Sequence, residues 1–506
     1  MDVGAEQTAV SGGEGLAVSV PPTMATVGRG VSWKLITVAF GQGSWYASLF
    51  VLALVIPPHD FGVAAVASVV ASFTLLVLES GTSGSLIIAR ELAPSAIRRA
   101  LIRTSAAGVV ATAAFIALAG PIADAFTGGA DVGVLRVIAA TVGLAAISIV
   151  PNALLTKHLR FKSVSKITIA AAAIASVAAV VAALLGAGVW SLAVRLVVNQ
   201  LVLTVLAVAA ARDLLPPPAP GAARAPRPAG STAFLLIAAA TTVAWSFDNL
   251  TVGAFTNPTQ LGLYSLGFSL AFAPLTLVSW SVGQVLLPAI AAAADADAVR
   301  RQTIKAVRMM ALLLLPLLPV AIALAPGLIP AVLGHRWKGM VVPFEILVVV
   351  GIGQGIVNTL GESLAGAGVR SATIRSRIDI VWAFGTIAAI VVGVELAGIR
   401  GAAAAHVVAF VGLALAYGWR GGRGIGLSMR ALSNALGGVA GCVAVQSIVT
   451  AAVAVGLYAA GAGVIASGLA GAAVGALALA AVLRLAAPQL LEEGRGVLLA
   501  TRGSGA

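Results

Sequence analysis

The stretch SFDNLTVGAFTNPTQLGLYSLGF, from Ser246 to Phe268, places a carboxylate, Asp248, inside an otherwise apolar sequence. Two hundred residues earlier the chain has VIPPHDFGVAAVASVV, with the same proline-to-glycine spacing. The segment Pro57–Gly62 (PPHDFG) aligns with Asn257–Gly262 (NPTQLG) at an offset of 200 residues. This repetition predicts that the chain contains two copies of one structural unit.

The composition is that of a membrane protein with many spans. Of the 506 residues, 60% are hydrophobic and 10% are charged, and the mean hydropathy is +1.05. Soluble domains have about 25% charged residues, and a helix needs roughly 20 apolar residues to cross a bilayer. We therefore predict an all-α polytopic membrane protein with about 14 transmembrane helices. The predicted helices cover, to within a few residues, 32–56, 61–86, 102–127, 133–154, 164–187, 190–211, 232–255, 260–289, 304–332, 341–367, 373–396, 401–419, 431–458 and 461–486.

Two further matches extend the repeat. The basic pattern RRALIR at 98–103 aligns with RRQTIK at 300–305, and Gly186–Ala193 aligns with Leu396–Ala403. Each copy contains six predicted helices, and because six is even both copies enter the membrane in the same orientation. Parallel repeats of this kind are related by an axis along the membrane normal, and their substrate site lies between them near the midplane.

The predicted domains follow from the repeat and from one proline-rich break. RDLLPPPAPGAARAPRPAGS (212–231) cannot sustain a helix and carries polar residues, so it is interpreted as a cytoplasmic linker. The tail 1–30 is rich in Gly, Ala, Ser and Pro and is expected to be disordered, with no signal-peptide pattern. The domains are an N-lobe at 31–211, a C-lobe at 232–420, an extra helix pair at 421–487 and a cytoplasmic tail at 488–506.

The positive charges predict the orientation. With the N-terminus placed in the cytoplasm, all but five of the 31 lysines and arginines fall on the cytoplasmic side. The net charge of +13 therefore indicates a positive-inside bias rather than nucleic-acid binding. We expect a multi-pass protein of the plasma (inner) membrane with both termini in the cytoplasm. The five exceptions are Arg136, Arg195, Arg336, Lys338 and Arg400.

Several stretches resemble the oligosaccharide (lipopolysaccharide or O-antigen type) flippases of the multidrug/oligosaccharidyl-lipid/polysaccharide exporter superfamily. The segment 246–266 resembles their Asp-x-Leu-x-x-Gly…Leu-Gly-x-Tyr-x-Leu pattern, and Leu333–Leu347 resembles their Leu-Gly-x-x-Trp loop. Other stretches of the same kind are VLLPAIAAAADADAVRR (285–301), PNALLTKHLRFKSVSK (151–166) and GAGVWSLAVR (186–195). Together they lie within residues 30–415.

The resemblance implies two six-helix lobes around a central cavity. It also implies that the protein moves a polyprenyl-pyrophosphate-linked oligosaccharide from the inner to the outer leaflet by alternating access, for cell-surface polysaccharide biosynthesis. Glycosyltransferases or a polymerase of the same pathway are possible partners. In peptidoglycan-precursor flippases an extra helix pair contributes to a groove for the lipid tail, but the Ala/Gly/Val-rich sequence at 431–486 does not show whether it does so here.

The anionic head of such a substrate requires cations, and its sugars require amides and aromatic faces. Lys34, Arg195 and Arg308 are the candidate pyrophosphate ligands, although Lys34 and Arg195 lie close enough to helix ends to snorkel to the headgroups. Aromatic residues near outer loops, such as Trp190 and Trp337, are expected to be interface anchors. The candidate sugar contacts are Trp45, Trp245, Trp280, Gln42 and Gln284, and helix–helix hydrogen bonding is the alternative for the two glutamines.

Carboxylates within apolar helices are candidates for coupling to H⁺ or Na⁺. Asp248 has two competing interpretations, as a coupling site or as a structural partner of a cation such as Arg195. Glu79 and Glu362 lie near predicted cytoplasmic helix ends, where water or a loop arginine would also explain them.

Basic clusters mark the predicted cytoplasmic mouth. They set topology and contact anionic lipid, and the alternative is that they capture the substrate's head. The residues are Arg98, Arg99, Arg103, Arg300, Arg301, Lys305, Arg375 and Arg377.

Two rival functions remain. A cation-coupled multidrug antiporter of the same superfamily would need a cavity with a net acidic lining, whereas basic residues are at least as available here. A membrane polysaccharide polymerase or ligase would need a large outer loop or a catalytic domain, and neither is present. One cysteine, Cys442, and four scattered histidines predict no metal site, and no cofactor motif occurs.

Overall fold

The computed structural model describes residues 38–79, 93–129, 131–215, 247–279 and 295–485, with a few single positions between them, and these residues form helices and short connections. The first half contains α1 (Gly43–Val55), α2 (Pro58–Glu79), α3 (Pro94–Thr127), α4 (Val132–Lys157), α5 (Phe161–Leu184) and α6 (Trp190–Ala210). The second half contains α7 (247–255), α8 (Pro258–Pro274), α9 (Ala296–Leu314), α10 (Leu317–Leu328), α11 (Val341–Gly366) and α12 (Val369–Ala416). The last pair is α13 (Met429–Ala459) and α14 (Val464–Leu485).

The helices confirm an all-α polytopic membrane protein, with the number of crossings close to the predicted one. Eleven helical stretches within the described residues are long and apolar enough to span a bilayer. One of them, at 370–424, contains non-helical residues at Ala397 and Gly398, so its two limbs are separate crossings. The shorter apolar helix Phe40–Val55 and the described part of α7 match the remaining predicted segments. We call 369–396 and 399–416 the first and second limbs of α12.

Several helix boundaries differ from the predicted ones. α3 begins at Pro94 rather than near 102, and α9 begins at Ala296 rather than near 304. The basic patterns at 98–103 and 300–305 therefore lie within helices rather than in loops. Arginine and lysine are good helix formers, so a helix continues through them beyond its apolar part. Pro316, between α9 and α10, interrupts the predicted helix 304–332 because proline cannot donate the helical hydrogen bond.

The two halves meet where α2 lies against α8, at the repeated proline–glycine motif. A Cβ on Gly62 would lie 1.9 Å from the Pro258 carbonyl oxygen, and a Cβ on Gly262 would lie 1.7 Å from the Pro58 carbonyl oxygen. The contact is reciprocal, as expected if a pseudo-twofold axis relates the two copies. Only glycine permits such a backbone approach, which explains the motif that the two halves share. Following the predicted orientation, we call this end of the bundle the outer end.

A second contact at the outer end joins the loop before α11 to the end of α1. Trp337 Nε1 donates to the Ala53 carbonyl at 3.0 Å, and Arg336 Nη2 donates to the Leu54 carbonyl at 2.7 Å. The Trp337 side chain is 0% exposed and packs edge-on against Phe61 with ring centroids 5.3 Å apart. The expectation that Trp337 is an interface anchor is therefore wrong, because its loop folds inward over the last carbonyls of α1.

The last helix pair packs on the second half. Gly468 of α14 lies against the Ala323 carbonyl of α10, and Gly327 of α10 lies against the backbone of Ile465. Gln446 of α13 donates to the Pro316 carbonyl at 3.0 Å. This hydrogen bond joins α13 to the proline break between α9 and α10.

Candidate functional site

A cavity of about 190 Å³ lies between the two halves, below the outer contacts. Helices α1, α2 and α6 of the first half and α7 and α8 of the second half all contribute to its wall. Its polar lining comes from Ser68, Arg195, Asn249, Ser265 and Ser269, and its aromatic lining comes from Trp45 and Phe61.

Arg195 is the charged residue of this lining. Its side chain is 3% exposed, so it neither snorkels nor faces lipid. One guanidinium nitrogen donates to the Trp45 carbonyl at 2.7 Å, and the guanidinium carbon lies 3.5 Å from the centre of the Trp45 ring. Arg195 Nε has no hydrogen-bond partner, and no described carboxylate lies within 4.0 Å of the side chain. A buried cation without a counter-charge is costly, so its position beside a cavity favours an anionic ligand.

Asp248 lies behind the cavity wall, inside the second half. Its side chain is buried, and Asp248 Oδ2 accepts a hydrogen bond from Tyr264 Oη at 3.3 Å and lies 3.7 Å from His406 Nε2. The partner of Asp248 is therefore His406 on the second limb of α12, and not Arg195. The next residue, Asn249, lines the cavity, and its Nδ2 donates to Asp248 Oδ1 at 3.3 Å. Its buried side-chain oxygen has no hydrogen-bond partner. Two successive residues of α7 thus contribute to the cavity wall and to the buried group formed by Asp248, Tyr264 and His406.

Glu362 belongs to a separate ion-pair cluster. Arg375 Nη2 lies 3.0 Å from Glu362 Oε1, and Arg375 Nε lies 3.5 Å from Asp379 Oδ2. Tyr417 donates to Asp379 at 2.6 Å. These contacts join α11 to the first limb of α12 and to the π-helical turn Tyr417–Gly421 after the second limb, and they neutralise Arg375, so the arrangement is that of a structural cluster.

The other candidates are dispersed or lie outside the described residues. Lys34, Trp245, Trp280 and Gln284 are not among the described residues, and Glu79 is described only as the last residue of α2. Gln42 is half-buried in a π-helical turn before α1, and Arg308 is half-buried on α9. Of the predicted mouth residues, Arg98 and Arg99 are half-buried and the exposed ones are Arg103, Arg300, Arg301, Lys305 and Arg377.

Sequence reasoning missed His406 and Tyr264. His406 is 158 positions from Asp248, and nothing in a single sequence links a lone histidine to a carboxylate at that distance. Tyr264 occurs in the same quoted motif as Asp248, 16 residues later. A turn at Asn257–Pro258 folds α8 back along α7 and brings the two side chains together, so the turn was the signal that could have linked them.

Two like-oriented helical halves with a cavity between them have the parallel-repeat architecture that is found in membrane transporters. The family model described as "Polysaccharide biosynthesis protein" matches residues 51–342, more than half of the chain. The chain belongs to this family, which confirms the resemblance seen in its motifs.

Two named proteins are similar to the chain in sequence. The chain is 25% identical over 177 residues to "Succinoglycan biosynthesis transport protein ExoT" of Rhizobium meliloti (strain 1021), a match covering 35% of this chain and 36% of that protein. It is 24% identical over 393 residues to "Lipopolysaccharide biosynthesis protein WzxC" of Escherichia coli (strain K12), covering 74% and 76%. The match thus spans about a third of the first relative and three quarters of the second.

Solved structures share the fold. The structure "Lipid II flippase MurJ, inward closed conformation" superimposes with a TM-score of 0.66 at 10% identity, covering 90% of this chain and 99% of that one. An inward-facing multidrug resistance MATE family transporter of the MOP superfamily superimposes with a TM-score of 0.60 at 14% identity, covering 79% and 98%. At such identities the likeness concerns the fold alone.

Proposed function

We propose that the protein is a flippase that moves polyprenyl-pyrophosphate-linked oligosaccharide from the inner to the outer leaflet by alternating access. The observation that carries this proposal is the buried Arg195 in the cavity between the halves. A guanidinium in a low-dielectric site binds phosphate oxygens strongly, and Arg195 and Asn249 both line this cavity. The Trp45 ring against the guanidinium gives the site an aromatic surface as well.

The size of the cavity supports alternating access. Small-molecule sites generally have about 300–1,000 Å³, and the 190 Å³ here has room for a phosphate group but not for an oligosaccharide. The halves must therefore separate to admit the sugars, while the lipid tail stays in the bilayer. The protein described here has its outer end closed, so the opening in this state would have to be toward the cytoplasm.

The proposed location follows from the charge distribution. A multi-pass protein of the inner membrane with both termini in the cytoplasm places the basic starts of α3 and α9 on the side where the substrate is made. Glycosyltransferases or a polymerase of the same pathway would be its partners. In this proposal the protein is a transporter and not an enzyme.

The test is leaflet exchange of polyprenyl-pyrophosphate glycans in vesicles containing the purified protein. We expect Arg195→Gln to slow exchange at least about tenfold, the equivalent of about 1.4 kcal/mol of lost binding, and Arg195→Lys to restore part of it. Arg136→Gln, at an exposed arginine on α4, is the matched control. Wild-type exchange in Arg195→Gln would remove Arg195 from the site, and ethidium efflux without glycolipid movement would favour the multidrug antiporter.

We also propose that a proton, rather than Na⁺, binds at Asp248. Sodium is a hard cation that prefers several oxygen ligands, as Ca²⁺ and Mg²⁺ do. Around Asp248 the neighbouring groups from other described helices are the Tyr264 hydroxyl and the His406 imidazole. The imidazole lies 3.7 Å from the carboxylate, beyond hydrogen-bond distance. Because Asn249 lines the cavity and its amide donates to Asp248 Oδ1 at 3.3 Å, a change of charge at Asp248 is transmitted to the cavity wall.

The coupling proposal is tested with ion gradients. Wild-type exchange should accelerate with a proton gradient and not with a sodium gradient, and Asp248→Asn should abolish this response while the protein remains monodisperse. Asp124→Asn, at an exposed aspartate on α3, is the control. Acceleration by sodium alone would overturn the proton assignment without affecting the proposal for Arg195.

A further inference from the structure

A membrane-facing groove of about 780 Å³ runs between the two limbs of α12, away from the cavity between the halves. Its wall is apolar and includes Val381 and Ala389 on the first limb and Val408 on the second. The side chains of Val381 and Val408 are 73% and 69% exposed. At Gly385 and Gly412, which also line it, an added Cβ would meet nothing within 4 Å. The two glycines therefore leave open space rather than serving a close helix contact.

The groove continues into a basic cavity at its cytoplasmic end. This second cavity, of about 470 Å³, is lined by Arg370, Arg420 and Arg423. Trp419 and Arg420 line both spaces, and Arg377 lines the groove, so apolar and basic surfaces are continuous. Arg423 stacks on the Trp419 ring at 4.9 Å.

The four arginines differ from their neighbour Arg375. Arg375 is neutralised by Glu362 and Asp379. Among the described residues, no carboxylate lies within 4.0 Å of Arg370, Arg377, Arg420 or Arg423. The end of the groove thus presents positive charge without internal compensation, complementary to an anion.

The depth of the groove indicates which anionic molecule fits. From residue 377 to residue 389 an α-helix rises about 18 Å, close to the thickness of one leaflet of a hydrocarbon core about 30 Å thick. The groove ends before the break at Ala397–Gly398. This length suits an acyl chain of a phospholipid, whereas a polyprenyl chain would extend well beyond it.

We propose that the groove between the limbs of α12 binds one anionic phospholipid of the inner leaflet. Its phosphate lies among Arg370, Arg420 and Arg423, and one acyl chain lies along Gly385 and Gly412. Such a lipid fills the space between the limbs and fixes the second limb of α12, which carries His406. The proposal does not rest on the flippase activity proposed above.

Native mass spectrometry of the purified full-length protein, titrated with palmitoyl-oleoyl-phosphatidylglycerol or the matching phosphatidylcholine, tests the proposal. We expect the wild type to retain one phosphatidylglycerol about tenfold more tightly than phosphatidylcholine. The double change Arg420→Gln/Arg423→Gln should remove this preference, and Gly412→Leu should weaken both lipids by filling the groove. Gly385→Leu serves the same purpose if Gly412→Leu does not fold.

The controls are Arg430→Gln, an exposed arginine at the start of α13, and Gly441→Leu, a membrane-facing glycine with open space around it. Both should bind lipid like the wild type. Equal retention of the two lipids by the wild type, or unchanged binding in both filled-groove variants, would overturn the proposal. Displacement of phosphatidylglycerol by an equal amount of a polyprenyl phosphate would also overturn it, because the groove would then belong to the transport substrate. A dimer that Gly412→Leu dissociates would overturn it as well, because the groove would then bind a second copy of the chain.

Discussion

The interface between the halves is closed in two different ways along its length. At the outer end the backbone at Gly62 and at Gly262 lies directly on the backbone of the opposite half, with no side chain between. Toward the inner side, α1 and α8 meet through two π-helical turns, Val38–Gln42 and Leu275–Ser279. There the Tyr46 and Thr276 hydroxyls, 2.8 Å apart, form the hydrogen bond between the two helices.

The difference shows that the two ends of one interface can differ in how easily they separate. We call the outer end, closed by backbone contact, the firm end, and the inner end, closed by the Tyr46–Thr276 pair, the yielding end. Contact between two backbones cannot be loosened by rotating a side chain, so the outer end is either closed or fully separated. A single hydroxyl pair contributes about 1 kcal/mol and can be exchanged for water. π-Helical turns are often found at functional positions, and their irregular hydrogen bonding makes a local change of α1 and α8 less costly. The structure therefore favours opening at the inner side first.

The largest effect is expected from adding one methyl group at the outer contact. In Gly62→Ala or Gly262→Ala the new Cβ would fall less than 2 Å from a carbonyl oxygen, so the halves must move apart. We expect both variants to lose leaflet exchange. We also expect about tenfold faster labelling from outside of a cysteine introduced at Ser68, in the Cys442→Ser background, because the closed population falls.

Gly437→Ala, on α13 with nothing within 4 Å of the added atom, is the control for a glycine-to-alanine change in a membrane helix. Because the contacts of Gly62 and Gly262 are reciprocal, the two single variants should behave alike. If only one of them changed labelling, or if neither did, the outer contact would not be the symmetric closure described here.

The second-largest effect is expected at Trp337, in the loop before α11 that covers the end of α1. Trp337→Ala removes a fully buried indole and its hydrogen bond to Ala53, and large-to-small changes of this kind cost about 3–5 kcal/mol. Trp337→Phe keeps most of the packing against Phe61 and should cost about 1 kcal/mol. Denaturant titration in mixed micelles measures both. Trp190→Ala, at a 43% exposed tryptophan, should lower the free energy of unfolding much less. Equal losses of stability at the two tryptophans would contradict a role of Trp337 in closing the outer end.

Much of the fold was predictable because the bilayer simplifies the physics. Length and hydropathy predicted most of the described helices, and the repeated proline and glycine residues predicted two copies of one structural unit. The starts of α3 and α9 were placed too late, since polarity was taken as the end of a helix, whereas arginine supports helical structure outside the hydrocarbon core. The break at Pro316 was missed because the apolar residues continue on both sides of it.

The site was predictable only in its chemistry. The rarity of charge in apolar helices identified Arg195 and Asp248, and burial confirms that neither faces lipid. Their partners depend on how helices rotate against one another, and chains rich in Ala, Gly and Val give little information about rotation. For that reason a pair between Arg195 and Asp248 was one of two interpretations that the sequence left open, whereas the fold places each of them beside a different residue, Trp45 and His406.

The smallest effect is expected at the yielding end. Tyr46→Phe removes the hydroxyl pair with Thr276 and little else, so the balance between closed and inward-open states should shift about fivefold, equivalent to about 1 kcal/mol. Labelling of a cysteine introduced at Ser269, in inside-out vesicles, measures the shift. Thr276→Val breaks the same bond and should have the same effect, and the double variant should add nothing further because a shared interaction can be lost only once. If the two single effects summed in the double variant, the hydroxyls would act separately, and the inner side would be held by something other than this contact.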